Sequence, residues 1–328
     1  MKPFRIGLLG AARITAKAIV APAASIPTAV LAGIAARDGA RAAAFANTHG
    51  VAAVYDDYAA LIAAPEIDLV YNALPVDAHA AWTIRALEAG KHVLCEKPLA
   101  MNAGEARSML AASEASGGRL IEAFHYRYHP AFGKMLARLP DIGPVQTVRA
   151  HFNVAIADNG TEIRHRPERG GGAMMDLGCY PLHWALTVMD AAPVGIDARA
   201  VITKSGVDES MEAGLSFPSG AEAVVRSSMA AGEAFSAGIE IIGRNGRIDF
   251  RNPIHPHRGA SLRILTRGRE ENVPISRIST YAYQLDAVLC AVESGAPLPT
   301  EGADVLRQQQ TLDAVYAAAG LAQLRTGA

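Results

Sequence analysis

Short apolar runs alternate with helix-like stretches along roughly the first 125 residues of this chain. Buried strands are predicted at 4–9, 30–35, 69–72, 93–95 and 120–124, and helices at 14–24, 39–46, 76–89 and from Asn102 onward. Glu105 follows Asn102 by three residues, as in a helix-capping box. Strands and helices in this order predict a parallel sheet with helices on both faces.

The pattern changes after Pro130 to longer runs that are separated by turn residues. Strands are predicted at 145–155, 195–203, 211–217, 221–229 and 236–242, and helices near 173–189, 281–293 and 303–319. Turns such as Pro218-Ser219-Gly220 and Asn245-Gly246 favour antiparallel pairing. The predicted fold is therefore an α/β domain over 1–124, followed by an α+β domain over 125–328 with a large, mainly antiparallel sheet.

Composition and charge exclude several classes of protein. Half of the residues are hydrophobic, 19% are charged and the formal net charge is -1. A buried core is therefore expected rather than disorder. The charge balance offers no footprint for nucleic acid or an anionic membrane, and no apolar run reaches the ~20 residues of a membrane helix. A small-molecule ligand fits this composition better.

The start of the chain and its cysteines predict a cytoplasmic location. The first residues lead directly into a strand, without the charged and apolar leader of a secreted protein. Cys95, Cys179 and Cys290 are far apart and odd in number, which argues against a disulfide framework. Their spacing does not match a metal site either, so no metal is expected.

The turn after the first strand carries part of a phosphate-binding pattern. Residues 7–15 read Gly-Leu-Leu-Gly-Ala-Ala-Arg-Ile-Thr. Backbone N–H groups at such a helix start hold the pyrophosphate of a dinucleotide. Of the glycine fingerprint that begins at Gly10, only the first glycine is present, because Ala12 and Thr15 replace the others. The alternative is an ordinary strand-to-helix turn.

The end of the second strand favours NADP over NAD. NAD enzymes usually place an acidic residue there to hold the ribose 2′-hydroxyl. Here the strand ends at Ala36, which leaves room, and Arg37 follows with a guanidinium that matches a phosphate in charge and geometry. The alternative is that Arg37 is solvated and that Asp38 holds the ribose.

Two further motifs give the chain a family resemblance. Cys95-Glu96-Lys97-Pro98-Leu99 precedes the glycine-rich segment 170–183, which reads GGGAMMDLGCYPLH, and similarity also includes 123–130 and 283–286. In this order the motifs resemble the glucose-fructose oxidoreductase / inositol dehydrogenase (Gfo/Idh/MocA) family. Tyr180 and the loop 11–14 resemble the branch that holds dimeric dihydrodiol dehydrogenase and NADP-dependent xylose dehydrogenase.

The resemblance implies an enzyme that transfers a hydride between NADP and a sugar, polyol or related cyclic alcohol or diol. It also implies a Rossmann domain, an open-faced sheet domain, and homodimers or homotetramers assembled through those sheets. In the family, the residues that match Lys97 and Tyr180 are the catalytic pair. A free phenol has a pKa of ~10, and a nearby ammonium such as that of Lys97 favours the phenolate. A cis peptide bond between Lys97 and Pro98 is a further expectation.

Asp176, Tyr180 and His183 are spaced so that one helical face carries all three. Pro181 complicates this spacing, since it kinks a helix unless the helix starts near Tyr180. Asp176 is expected to hold the substrate hydroxyl or to orient Lys97. The alternatives are a helix cap for Asp176, a core role for Tyr180 and a surface ion pair with Glu96 for Lys97.

The expected site residues fall into three sets. The catalytic set is Lys97, Tyr180 and Asp176, and the cofactor set is Gly7, Gly10, Ala11, Ala12, Arg13, Ile14, Ala36, Arg37, Asn72, Leu74, Pro75, His79, Glu96, Lys97 and Arg127. The substrate set is Lys97, Phe152, Arg164, Asp176, Tyr180, His183 and Tyr283. Two other functions stay open: a glycoside hydrolase that uses bound NAD transiently, and a regulator that senses a dinucleotide without catalysis.

Overall fold

The computed structural model describes residues 3–325, and their contacts divide the chain into two units. One unit comprises residues 3–125 together with Tyr281–Leu306, and the other comprises Tyr126–Thr280 together with residues 307–325. The sequence analysis assigned all of 125–328 to one domain, so the structure differs from that division at 281–306.

The first unit is built on a six-stranded parallel sheet in the order β3-β2-β1-β4-β5-β6. Its strands are β1 (Phe4–Leu9), β2 (Ala29–Ala35), β3 (Ala53–Val54), β4 (Leu69–Asn72), β5 (His92–Cys95) and β6 (Leu120–Glu122), and its helices are α1 (Arg13–Thr15), α2 (Ala21–Ala23), α3 (Gly39–His49), α4 (Tyr58–Ala63), α5 (His79–Glu88) and α6 (Ala103–Ser116). This confirms the predicted doubly wound sheet. The strand order reverses between β1 and β4, where ligands of open α/β sheets bind at the carboxyl ends of the strands.

The second unit is built on an eight-stranded sheet in the order β14-β13-β12-β11-β7-β10-β9-β8. Its strands are β7 (Val145–Asn153), β8 (Gly195–Ile202), β9 (Asp208–Ser216), β10 (Glu222–Ser228), β11 (Ser236–Gly243), β12 (Gly246–Arg251), β13 (Ser261–Thr266) and β14 (Arg269–Val273). The pairs are antiparallel except that β10 and β7 are parallel, which confirms the prediction of a mainly antiparallel sheet. The four remaining helices are α7 (Pro130–Ala137), α8 (Cys179–Met189), α9 (Thr280–Ser294) and α10 (Ala303–Ala318).

Helix α9 explains why residues 281–306 belong with the first unit. Leu285, Val288 and Leu289 are buried in one core cluster with Ile6 and Leu8 of β1. Burial of three such side chains is worth about 1.5–3 kcal/mol each. Residues 281–306 follow the second sheet in the sequence, but this apolar packing makes them part of the first unit.

Helix α8 covers one face of the eight-stranded sheet, and the opposite face is charged. Val225 of β10 is buried while Arg226, the next residue, is exposed, as the alternation of a strand requires. Ion pairs run from strand to strand on the exposed face; they are Arg199–Glu212, Arg226–Glu212, Arg149–Glu240, Arg247–Glu240 and Arg263–Asp249.

Candidate functional site

The turn after β1 has the backbone that a close ligand needs. Gly10 has φ +90°, and its N–H donates to the Ala35 carbonyl at 2.8 Å. A Cβ at this position would lie 3.1 Å from Leu74 Cδ2, so glycine is favoured by both conformation and space. Ala12 precedes α1 in extended conformation, and its methyl side chain cannot cap the helix. Gly7 lies inside β1, where an added Cβ would meet Leu61, so its role in the structure is packing.

Two arginines lie just after β2. Asp38 caps α3 by accepting the backbone N–H of Arg41 at 3.1 Å. The Arg41 guanidinium donates to the Ala11 carbonyl of the phosphate turn at 3.3 Å. Arg37 is exposed, and within residues 3–325 its guanidinium makes no hydrogen bond or ion pair. Sequence reasoning missed Arg41, although its place one helical turn after Arg37 was visible in the sequence.

The polar side chains at the end of β4 are held within the fold. The Asn72 amide donates to Thr83 Oγ1 at 3.0 Å, and its Oδ1 accepts from the Leu74 N–H at 3.2 Å. His79 is buried, with Nε2 2.7 Å from the Leu74 carbonyl. Its Nδ1 faces the carbonyl oxygens of Pro98 and Leu99 at 3.1 and 3.2 Å. Burial lowers the pKa of His79, and the surrounding carbonyl oxygens oppose that shift.

We define the Lys97 segment as residues 96–99, which follow β5. The Lys97–Pro98 peptide bond is cis, which confirms the prediction. Tyr71 is buried and its hydroxyl donates to Glu96 Oε1 at 2.6 Å. Burial, together with the Glu96 carboxylate, raises the pKa of Tyr71. Lys97 is half-buried.

We define the Tyr180 segment as residues 170–183, which lead into α8. Met174–Gly178 forms a π-helical turn that continues into α8, so the helix begins well before Tyr180. Gly172 has φ +122°, and a Cβ there would overlap the Asp208 carboxylate. Asp208 is buried and accepts the Met174 N–H at 2.6 Å and the Tyr316 hydroxyl at 2.7 Å. These contacts fix where the π-helical turn begins.

Tyr180 is 5% exposed and lies among aromatic side chains. Its ring is 5.7 Å from that of Phe152 and 6.0 Å from that of Tyr126. The Tyr126 hydroxyl is hydrogen-bonded to His183 Nδ1 at 2.6 Å. Tyr180 and His183 therefore share one side of α8, as their spacing predicts. Phe235, which sequence reasoning missed, is 52% exposed and contacts Phe152 with ring centroids 5.9 Å apart.

Asp176 lies in the π-helical turn and pairs with Arg164. The Arg164 Nε donates to Asp176 Oδ2 at 2.6 Å, and its Nη1 donates to Glu162 Oε1 at 2.9 Å. The Asp176 carboxylate, aided by Glu162, holds the pKa of Arg164 above its ordinary value. The structure thus joins two predicted substrate residues as an ion pair, and Glu162 is the partner that the sequence did not reveal.

Two residues of the predicted site, Arg127 and Tyr283, belong to different units from most of the residues with which they were grouped. Arg127, predicted to bind cofactor, belongs to the second unit, where its guanidinium lies 5.5 Å from the Phe132 ring centroid. Its Nε is buried without a hydrogen-bond partner among the described residues. Tyr283, predicted to bind substrate, belongs to the first unit on α9 and is half-buried.

Residues 3–325 contain neither a candidate metal cluster nor a membrane-spanning helix. No group of three or more His, Cys, Asp or Glu side chains is placed to hold a metal ion. No helix in this part of the chain combines the length and apolar character needed to cross a bilayer.

Comparison with known proteins gives matches over most of the chain. Residues 4–124 match the model of an oxidoreductase family with an NAD-binding Rossmann fold, and residues 134–249 match the GFO/IDH/MocA C-terminal domain. A D-xylose 1-dehydrogenase (NADP(+)) of Haloferax volcanii is 34% identical over 318 residues, which cover 95% of this chain and 96% of that protein. A trans-1,2-dihydrobenzene-1,2-diol dehydrogenase of Danio rerio is 33% identical over 74% of this chain and 71% of its own.

Among solved structures, a 3-ketoreductase of Actinomadura kijaniata in complex with NADP and TDP-benzene superposes with a TM-score of 0.87 at 28% identity. That alignment covers 97% of this chain and 98% of the ketoreductase. Both domain matches and the full-length relative agree on one assignment. The chain belongs to the GFO/IDH/MocA family of oxidoreductases, with an NAD-binding Rossmann domain.

Proposed function

We propose that this protein is an NADP-dependent dehydrogenase or reductase that acts on a CH–OH group of a sugar, polyol or related cyclic alcohol or diol. The observation that carries the proposal is the match, over 95% of this chain, to an enzyme named for oxidising D-xylose with NADP. The dihydrodiol dehydrogenase and 3-ketoreductase relatives extend the substrate class to cyclic diols and to ketones.

The residues around β1 and β2 fit a bound NADP. Gly10, with its positive φ and no side chain, lets a pyrophosphate approach the backbone at the start of α1. We propose that Arg37 and Arg41 hold the 2′-phosphate, because Asp38 already caps α3 and leaves two guanidinium groups at the end of β2. When bound, the nicotinamide supplies or accepts the hydride.

The proton of the substrate hydroxyl is assigned to Tyr180. In oxidation its phenolic oxygen accepts that proton, and in reduction its hydroxyl donates it. Its burial among Phe152 and Tyr126 excludes water from one side of the phenol. We propose that the Lys97 ammonium stabilises the phenolate and donates a hydrogen bond to the substrate oxygen.

Asp176 and Arg164 are proposed to hold other substrate hydroxyls. An ion pair of this kind offers carboxylate acceptors and guanidinium donors in a fixed arrangement, which suits a polyol. Phe152, His183 and Tyr283 complete the proposed substrate set, with His183 acting through its hydrogen bond to Tyr126.

The test measures reduction of NADP or NAD by the absorbance of the reduced nicotinamide. The substrates are D-xylose and other aldoses, inositols and trans-dihydrodiols, beside the variants Lys97→Met and Tyr180→Phe. We expect turnover with NADP that each variant lowers by about 10²–10⁴-fold, the usual contribution of a general acid or base.

The control is dinucleotide affinity, measured by quenching of protein fluorescence. Tyr180→Phe is expected to keep the affinity of wild type while losing turnover. Absence of turnover with every substrate, by a protein that still binds dinucleotide, would contradict the proposal and favour a transient-redox hydrolase or a dinucleotide sensor.

We also propose that copies of the chain assemble as a homodimer or homotetramer through the exposed face of the eight-stranded sheet. The exposed face carries both arginine and glutamate side chains, so a second copy can place charges of opposite sign against each other. Light scattering after gel filtration tests this. Arg226→Glu is expected to shift the assembly toward smaller species, whereas a monomeric wild type would contradict the proposal.

A further inference from the structure

Glu122 carries a buried carboxyl group, and only one of its two oxygens accepts a hydrogen bond from the described residues. It ends β6 opposite Cys95 of β5, and its side chain is fully buried. Oε1 accepts the N–H of Leu99 at 2.8 Å. Among the described residues Oε2 has no hydrogen-bond partner. Each buried polar atom without a partner is costly, so a group of this kind points to a role beyond packing.

Glu122 holds one side of the Lys97 segment. Its carboxyl oxygen fixes the peptide that follows Pro98, while His79 Nδ1 lies near the carbonyl oxygens of Pro98 and Leu99 on that same peptide run. The backbone after Lys97 is therefore fixed by two buried side chains from neighbouring elements, β6 and α5. Removal of the His79 or the Glu122 side chain would therefore loosen the backbone from which the Lys97 side chain extends.

The charged and titratable neighbours of Glu122 lie on β5, in the Lys97 segment and on α10. Cys95 is on β5, Glu96 and Lys97 follow it, and Asp304 lies in the first turn of α10. Burial raises the pKa of Glu122 to about 8; Asp304 and Glu96 act in the same direction, and the Leu99 N–H and Lys97 oppose them. The carboxyl is therefore neutral at pH 7 and becomes a carboxylate that attracts the Lys97 ammonium above pH 8.

We propose that Glu122 is a positioning residue for Lys97. Glu122 anchors the peptide that follows Pro98, and its charge state is linked to that of the Lys97 amine. This inference rests on the proposed role of Lys97 only for its kinetic consequence. The link between the two charges is reciprocal, because a proton lost from one group changes the proton affinity of the other.

The first experiment does not depend on turnover. Lys97 is labelled with acetic anhydride across pH in wild type, Glu122→Gln and the control Glu114→Gln, an exposed position on α6, and the label is measured by mass spectrometry. In Glu122→Gln the carboxylate cannot form, so Lys97 is expected to lose its proton about one pH unit lower than in wild type. Coincident labelling curves for wild type and Glu122→Gln would overturn the inference.

The second experiment uses the pH dependence of kcat with D-xylose and NADP. Glu122→Gln keeps the acceptor for Leu99, so it is expected to stay within about threefold of wild type at pH 7 and to lose an inflection near pH 8. Glu122→Leu leaves that N–H unpaired and is expected to lower kcat about 10–100-fold at unchanged NADP affinity. Equal losses in both variants would indicate a packing role and overturn the inference.

The two experiments separate this inference from the proposed function. If no substrate is turned over, the proposed function fails and the labelling curves still decide the link between Glu122 and Lys97. If Glu122→Leu does not fold, Glu122→Gln carries both tests.

Discussion

The Lys97 segment and the Tyr180 segment are supported in different ways. The Lys97 segment follows a strand, and its backbone is held by hydrogen bonds with the His79 ring and by the Leu99 N–H, which donates to Glu122. The Tyr180 segment leads into a helix, and tight packing at Gly172 with aromatic rings around Tyr180 holds it. The Lys97 segment depends mainly on polar atoms that reach its main chain, whereas the Tyr180 segment combines tight packing with the hydrogen bond from the Met174 N–H to Asp208.

This difference teaches how each segment should fail. A hydrogen-bonded backbone tolerates a substitution that keeps the acceptor, whereas a segment defined by shape tolerates almost no added atom. Substitutions at the first segment should therefore change function more than stability, and those at Gly172 should change stability first.

The largest expected effect joins both segments. If Lys97 and Tyr180 act as one unit, Lys97→Met, Tyr180→Phe and the double variant should each lower kcat/KM by about 10³-fold, because the second substitution removes nothing further. Steady-state kinetics of wild type, the two single variants and the double variant gives the coupling free energy between Lys97 and Tyr180. Fully additive losses would mean that the two residues act independently.

The next effect tests the shape of the Tyr180 segment. Gly172→Ala should lower the free energy of unfolding by about 4 kcal/mol, because the new Cβ overlaps the Asp208 carboxylate at φ +122°. Gly206→Ala is the matched control, since Gly206 has φ +92° with open space around its added Cβ and should cost about 1 kcal/mol. Denaturant unfolding measures both, and equal costs would show that packing at Gly172 is loose.

Asp208 gives the same segment a pH dependence. Burial raises the pKa of Asp208 to about 6, against hydrogen bonds from Met174 and Tyr316, so the folded state holds this proton more tightly than the unfolded chain. Relative to Asp208→Asn, the free energy of unfolding of wild type should therefore fall as the pH rises from about 4 to about 6. The expected fall is about 3 kcal/mol, because the pKa of Asp208 is raised by about two units. Unfolding curves across that range measure the difference. A relative rise in stability with pH would mean that the hydrogen bonds outweigh burial.

The smallest expected effect concerns cofactor choice in the first unit. Arg37→Ala should lower kcat/KM for NADP by about tenfold and leave that for NAD nearly unchanged, because a charge-assisted contact to phosphate is lost. Arg107→Ala, an exposed arginine on α6, is the control. Equal losses for both nucleotides would assign Arg37 a role other than selectivity.

Most of the fold was predictable because apolar periodicity reports local structure well. Five strands of the parallel sheet and five strands of the second sheet appear where the pattern indicated them, whereas the two-residue strand β3 was not predicted. β12, β13 and β14 were missed, since charges on their exposed face dilute the alternation. The position of α9 in the first unit was also missed, because a helix pattern does not reveal which sheet covers it.

The site was predictable where a motif names the residue. The motif around Lys97 indicated the cis bond, and the spacing of Tyr180 and His183 indicated a shared helical side. Glu122, Glu162 and Asp208 lacked such a signal, because each acts through partners that only the tertiary fold brings close.

The course of α9 and α10 along the chain has a consequence for protein synthesis. Ile6 and Leu8 emerge from the ribosome early, yet Leu285 and Leu289 of α9 complete their core much later. Tyr316 of α10 likewise reaches Asp208 only after the eight-stranded sheet has been made. A nascent chain therefore carries two unfinished cores until both helices have left the exit tunnel, and through that interval its apolar surfaces are open to chaperones and proteases.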